Sequence, residues 1–210
     1  HNGKTVSVLI SANVGLYGDI VGRTFDLFRQ GYDLGGTEAT IVGRLGLSLF
    51  REVYANSPYT YFDFPDSEVR VDLMEEIIRH LVSYEKIHVY YGKFQSVITQ
   101  LPARSNISAE VIDLDVVARR RPKEPKKYIF EPTLERLLMF FESQIFASLI
   151  DQTFRESQLA KFASRIRAMN TASENIGRKL REVEFRKLRF SHALENRKQL
   201  NFVSSLTYFL

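Results

Sequence analysis

The stretch Ser11–Gly22, reading SANVGLYGDIVG, is the first place where this sequence could do chemistry. A strand, a glycine-rich turn and a helix N-terminus together offer unpaired backbone N–H groups to an anion, which is how phosphates are held. The glycines fall at 15, 18 and 22, however, which is not GxGxxG spacing, and no GK[ST] follows. Asp19 would stand where a phosphate should go. A tight strand-to-helix turn is the plainer reading. His1, His80, His88 and His192 form no HxxxH pair. His80 falls in a helical stretch and His88 in a strand, where packing or exposure accounts for them. Glu75-Glu76 and Asp113/Asp115 are carboxylate pairs with no adjacent His or Lys in a recognisable motif, and they read as solvated faces. Cysteine is absent, which removes disulfides, thiolate zinc sites and cysteine nucleophiles. The expectation is a protein with no catalytic residue, no metal and no cofactor of its own.

The elements that would position these residues alternate in type. Thr5–Ser11 is a β-branched run, and Ile20, Val21, Phe25, Leu27 and Phe28 recur at helical spacing until Gly31. Thr40–Val42 reads as a strand, Leu47–Tyr54 as a short helix and Thr60–Phe64 as a strand stopped by Pro65. Behind Asp66 and Ser67, either able to cap, Leu73, Met74, Ile77, Ile78, Leu81 and Val82 form one helical stripe within 67–85. Lys86–Tyr91 and Phe94–Leu101 read as two strands about a Gly92-Lys93 turn, with a further strand over Val111–Val117. Such alternation predicts an α/β, Rossmann-like layered domain with a mostly parallel sheet. Composition agrees, at 44% hydrophobic and 26% charged over 210 residues. No apolar run is long enough for a membrane span and no signal-peptide pattern opens the chain.

Arg119–Lys127, rich in arginine, lysine and proline, reads as an exposed linker, and beyond Pro132 the character changes. From Thr133 to about Leu206 there is no proline, and Gly177 is the only glycine. Leu159, Phe162, Ile166, Met169, Ile176, Leu180, Val183, Phe190 and Leu194 follow alternating steps of three and four, broken only at Ser173 and Lys187. Such a stripe predicts a long C-terminal helix of a coiled coil. The expected domains are therefore 1–130 for the layered foot and 131–210 for the helix. Each exposed Leu, Ile or Phe on the seam forgoes about 1.5–3 kcal/mol, so the seam requires a partner helix. Nothing else in the sequence matches it in length.

Charge is uneven. Arg155–Lys198 carries twelve basic and five acidic residues, a balance of +7, while the rest of the chain stands at −3. A basic helix on a faintly acidic body suggests an anionic partner or a solvated face.

Four motifs resemble the γ subunit of F-type ATP synthases. VLISANVGLYGDI is similar to the family's strand and Gly-Leu-x-Gly turn, TIVGRLG to its "iGrkG" segment, and VYYGKFQSVITQLP to its hairpin. YIFEP, followed by a long helix and RIRAMNTASEN, carries the most specific likeness. There Arg165, Ala168, Met169, Ala172, Ser173, Glu174 and Asn175 match in register. Two departures stand out. The family's long N-terminal helix, which winds against the C-terminal one, is missing, and SHALENRKQL replaces the family's ending around Ser191–Leu200.

The resemblance implies the central rotor stalk of an F-type ATP synthase, carrying torque between the membrane c ring and the catalytic αβ hexamer without catalysis of its own. It implies the α, β and ε subunits and the c ring as partners, with the missing N-terminal helix covering the seam. It further implies that Lys126, Lys127, Tyr128, Glu131 and Pro132 face the c ring, and that Arg165, Met169 and Asn175 face the hexamer. The expected location is peripheral, on the cytoplasmic side of a bacterial inner membrane or the equivalent organellar face. The competing reading is a coiled-coil adaptor or a nucleic-acid-binding protein with a basic helix. Nucleic-acid binding would call for aromatic residues exposed among the basic ones, whereas Phe162 and Phe190 lie on the seam, although Phe185 is off it.

Overall fold

A computed structural model describes residues 3–32, 36–108 and 134–207. The chain divides into two compact units, His1–Arg167 and Ala168–Leu210. Within the first, β1 (Thr5–Ile10) turns Val6, Val8 and Ile10 to one face and Leu9 to the other, and all four are buried. A strand buried on both sides needs a layer on each, which parallel strands with crossover helices provide. After β1 come α1 (Ile20–Gly31), β2 (Thr37–Val42), α2 (Arg44–Val53), β3 (Tyr59–Phe62), α3 (Val71–Leu81), β4 (Lys86–Phe94), β5 (Gln100–Ser108) and α4 (Leu134–Thr207).

The sheet order is β3-β2-β1-β4-β5, with β1 parallel to β2 and β4, β2 parallel to β3, and β5 antiparallel to β4. Phe25 and Phe28 of α1 and Phe50 of α2 cover one face against Leu9, Ile41 and Tyr90. Met74, Ile77 and Leu81 of α3, with Ile150 and Phe154 of α4, cover the other against Val6, Val8, Ile87 and Val89. The chain leaves β1 toward β2 and later returns to its other side at β4, with its helices on opposite faces. That reversal puts a topological switch point at the C-terminal end of β1, where open α/β sheets receive ligands. The expected α/β layering, mostly parallel sheet and long C-terminal helix are all present.

Three local expectations are corrected. The chain does not turn at Gly92-Lys93: β4 runs straight through to Phe94, with Gly92 opposite Pro102 on the edge strand β5. The reversal lies at Gln95–Thr99, where the buried Gln100 amide donates to the carbonyls of Ser96 and Val97, each at 2.8 Å. Asp66 and Ser67 do not cap α3, which begins at Val71 after Arg70, because Asp66 is engaged elsewhere. α2 begins at Arg44 rather than Leu47, since its first N–H groups find acceptors in the loop after β1: Arg44 donates to Asn13 Oδ1 at 2.9 Å and Leu45 to the Ala12 carbonyl at 2.8 Å. The expected strand at Val111–Val117, the linker Arg119–Lys127 and the pair Asp113/Asp115 lie outside the described residues.

Candidate functional site

The C-terminal ends of β1, β2 and β3 meet the loop at 11–19 and one face of α4. Asn13 stitches this corner together. Its backbone N–H donates to Asp66 Oδ2 at 2.7 Å, and its side-chain amide donates to Asp63 Oδ1 and the Phe64 carbonyl, each at 3.0 Å. Arg44 donates to the second Asp63 oxygen at 2.7 Å. The Arg44 guanidinium and the Asn13 amide hold the Asp63 carboxyl below its ordinary value.

From α4, Lys161 reaches into the corner. Its Nζ lies 2.8 Å from Asp66 Oδ1 and 3.0 Å from the Ser11 carbonyl, with 7% of the residue exposed. Burial pushes the Lys161 ammonium down and Asp66 pulls it back up. One turn earlier, Gln158 donates to the Asp66 carbonyl at 3.2 Å. The Tyr17 ring lies 5.8 Å from Lys161 Nζ and 6.4 Å from the Phe162 ring. A cavity of about 10 Å³ beside Ser11, Gln158 and Lys161 is at the lower limit for one water. Outside this corner, Arg167 joins Asp19 at 2.9 Å to the Ile98 carbonyl at 3.3 Å, tying α4 to the head of α1 and the hairpin tip.

The arrangement answers the question raised by the glycine-rich loop. The N–H of Asn13, which could have met an anion, is taken by a carboxylate of the chain itself, and Lys161 neutralises that carboxylate. Asp19 does not take part, since its own carboxylate holds Arg167. The corner is a set of polar contacts that join the loop after β1, the segment after β3 and α4.

A family model described as ATP synthase matches residues 1–190. The chain belongs to the ATP synthase family. It is similar to the ATP synthase gamma chain of Neisseria gonorrhoeae (strain NCCP11945), with 26% identity over 188 residues, 84% of this chain and 64% of that one. It is also similar to that of Mycoplasma capricolum, with 29% identity over 179 residues, 82% of this chain and 61% of the relative. It therefore spans less than two thirds of the length of these curated relatives. Among solved structures it resembles a Euglena gracilis mitochondrial ATP synthase chain, from a structure described as OSCP/F1/c-ring (TM-score 0.72, 13% identity, 99% of this chain and 73% of that one). A chain of the Tetrahymena thermophila mitochondrial ATP synthase central stalk and c ring gives a TM-score of 0.60 at 19% identity, covering 81% and 76%. At these identities the likeness speaks for the fold.

The ATP synthase motifs acquire physical reasons here. In TIVGRLG, Gly43 has φ 96°, a left-handed conformation that side chains resist, and a Cβ there would meet the Ala12 carbonyl oxygen at 2.8 Å. Along the apolar stripe, Leu159, Ile166, Met169, Ile176, Leu180, Val183, Phe190 and Leu194 are between 49% and 71% exposed. Phe162 is half-buried, packed beside Tyr17. Asn175 is exposed and accepts from Arg178. Arg165, expected to point outward, is half-buried and interacts with the Tyr17 hydroxyl, whose pKa is raised by burial and by Asp66 against the pull of Arg165. Lys126, Lys127, Tyr128, Glu131 and Pro132 lie outside the described residues.

The histidines are dispersed. His80 packs between Phe62 and Tyr84 with Nε2 3.2 Å from Thr40 Oγ1, His88 meets Asn106 at 2.9 Å, and His192 lies 3.7 Å from Glu195. Glu75 and Glu76 are exposed on α3. Among the described residues no group of three or more His, Cys, Asp or Glu is arranged to hold a metal, and no helix is long and apolar enough to cross a membrane. Sequence reasoning took Asp66 for a helix cap and missed Lys161, whose signal was a second stripe on α4, with Ser157, Ala160, Lys161 and Ser164 at helical spacing and offset from the heptad seam.

Proposed function

We propose that this chain is the central-stalk rotor subunit of an F-type ATP synthase, with the sheet unit as its foot and α4 as one strand of the shaft. The observation that carries the reading is the exposed stripe on a single helix of 74 residues. Such a stripe in water requires a second helix, and the resemblance to the γ subunit implies a helix of the same subunit on the N-terminal side of β1. The structural neighbours, one from a central stalk with its c ring and one from an F1 and c-ring assembly, support the same reading.

In this reading the subunit has no catalytic site of its own. Its partners are the α and β subunits of the catalytic hexamer, ε and the c ring, and it sits peripherally on the cytoplasmic side of a bacterial inner membrane or its organellar equivalent. Lys126, Lys127, Tyr128, Glu131 and Pro132 face the c ring. Arg165, Met169 and Asn175 face the hexamer; Asn175 is exposed, Met169 sits on the seam and shares its surface with the second helix, and the Arg165 guanidinium can exchange Tyr17 for a carboxylate.

The test is a rotation assay. The full-length gene product is assembled with the α, β, ε and c subunits of its own complex, and a bead is fixed through a cysteine placed at exposed Glu52 of α2. ATP-driven turning of the bead is the expected result. An assembled complex that hydrolyses ATP with the bead still, or a chain that never binds the hexamer, overturns the proposal.

A further inference from the structure

In the second unit the apolar stripe stands in water. Met169, Ile176, Leu180, Val183, Phe190 and Leu194 are each 49–71% exposed, and Lys187 is the one charged residue set into their row. Heptads counted from Leu180 at position a put Val183 at d, Lys187 at a and Phe190 at d. When a second helix covers the stripe, the Lys187 ammonium loses water, and a charge so placed is tolerated only beside an opposite one. Its long stem lets the ammonium reach the edge of the interface, where the neighbouring residue of the other helix decides the energy. Lys187 brings no counter-charge of its own. Among the described residues it joins no ion pair, and Glu182 is already taken by Lys179 at 3.0 Å and Arg186 at 2.5 Å.

A second copy of this chain supplies no counter-charge either. In a parallel, in-register pair, Lys187 inserts among Val183, Arg186, Lys187 and Phe190 of the other copy, two apolar residues and two basic ones. In an antiparallel pair an a position lies beside a d position, and Met169, Ile176, Val183 and Phe190 are all apolar. We propose that Lys187 makes this seam turn away a second copy and accept a helix that carries an Asp or Glu in the facing layer. The apolar residues on either side supply the attraction, and Lys187 supplies the choice, through repulsion of a like charge and attraction of an opposite one. The inference rests on the part of the rotor reading that makes α4 one strand of a coil. It does not depend on the motor, so a still bead in the rotation assay would leave it standing.

The test uses the chain of 210 residues, whose stripe is exposed, and changes position 187 alone. Lys187 is itself exposed and Leu and Glu both favour helices, so circular dichroism should not change. Sedimentation equilibrium measures self-association of the native chain, of Lys187→Leu and of Lys187→Glu. It then measures an equimolar mixture of the native chain with Lys187→Glu, the probe that presents a carboxylate on the same apolar stripe. The native chain and Lys187→Glu should each associate at least tenfold more weakly than Lys187→Leu. The mixture should associate at least tenfold more tightly than either of its components. A native chain that pairs as tightly as Lys187→Leu overturns the proposal, because Lys187 would then exclude nothing. A mixture no tighter than its components overturns it too, because the seam would not be choosing a carboxylate. Absence of association even in Lys187→Leu would show that the stripe is not a pairing surface, and the proposal would fall with it.

Discussion

A Cβ on Gly46 would stand 2.5 Å from the Ser11 Cβ, because the first turn of α2 lies directly against the Ser11 side chain at the end of β1. This approach lets the loop after β1 cap α2 through Ala12 and Asn13. Gly46→Ala is therefore expected to destabilise the chain by about 1–3 kcal/mol, the usual cost of overpacking. A lower urea midpoint at unchanged m-value would show it, and an unchanged midpoint would contradict the contact.

Lys161→Met alone should cost more. It strips the cation from a carboxylate that stays buried, for which about 3–5 kcal/mol is typical. Asp66→Asn added to Lys161→Met should recover most of the loss. A double-mutant cycle in urea measures the coupling, and additive single effects would mean that the two groups do not sense each other.

Tyr84 and Tyr91 carry an alkaline prediction. Burial first, then the carboxylates of Glu38 and Glu156, pushes their phenols up to about 12 from 10.0. Between pH 10 and 12 the folded chain therefore keeps protons that the unfolded chain has released. Their contribution is complete below pH 10 and is lost as the pH rises toward 12. Denaturation midpoints at pH 9 and pH 11.5 should show a decline that Tyr91→Phe makes shallower. Phenolate absorbance should show buried tyrosines, Tyr84 and Tyr91 among them, ionising later than the exposed ones, and a single unshifted transition would refute the assignment.

Arg165→Ala separates fold from function. The residue is half-buried and its polar contact is the Tyr17 hydroxyl, so the loss of stability should stay within about 1.5 kcal/mol. In the assembled complex the same change should lower ATP-driven ion transport several-fold. Normal assembly with full coupled turnover would make Arg165 a local partner of Tyr17 and nothing more.

What the sequence determined by itself is whatever repeats locally. Val6, Val8 and Ile10 alternate with Leu9, and a run buried on both faces belongs inside a layered parallel sheet. Met74, Ile77 and Leu81 recur at helical spacing, and the heptad from Leu159 to Leu194 announces a coiled-coil helix, because side-chain direction follows backbone period. Tertiary structure decided what is not periodic. Asn13 caps a helix 31 positions away, and Lys161 meets a carboxylate 95 positions away. The β4–β5 reversal belongs to the buried amide of Gln100 rather than to Gly92. A lysine on a basic helix and an aspartate before a helix each have a common local use, solvation for one and capping for the other. Only folding brings the two together in a place where water is scarce, and there each is worth more to the other than to its own neighbours in the chain.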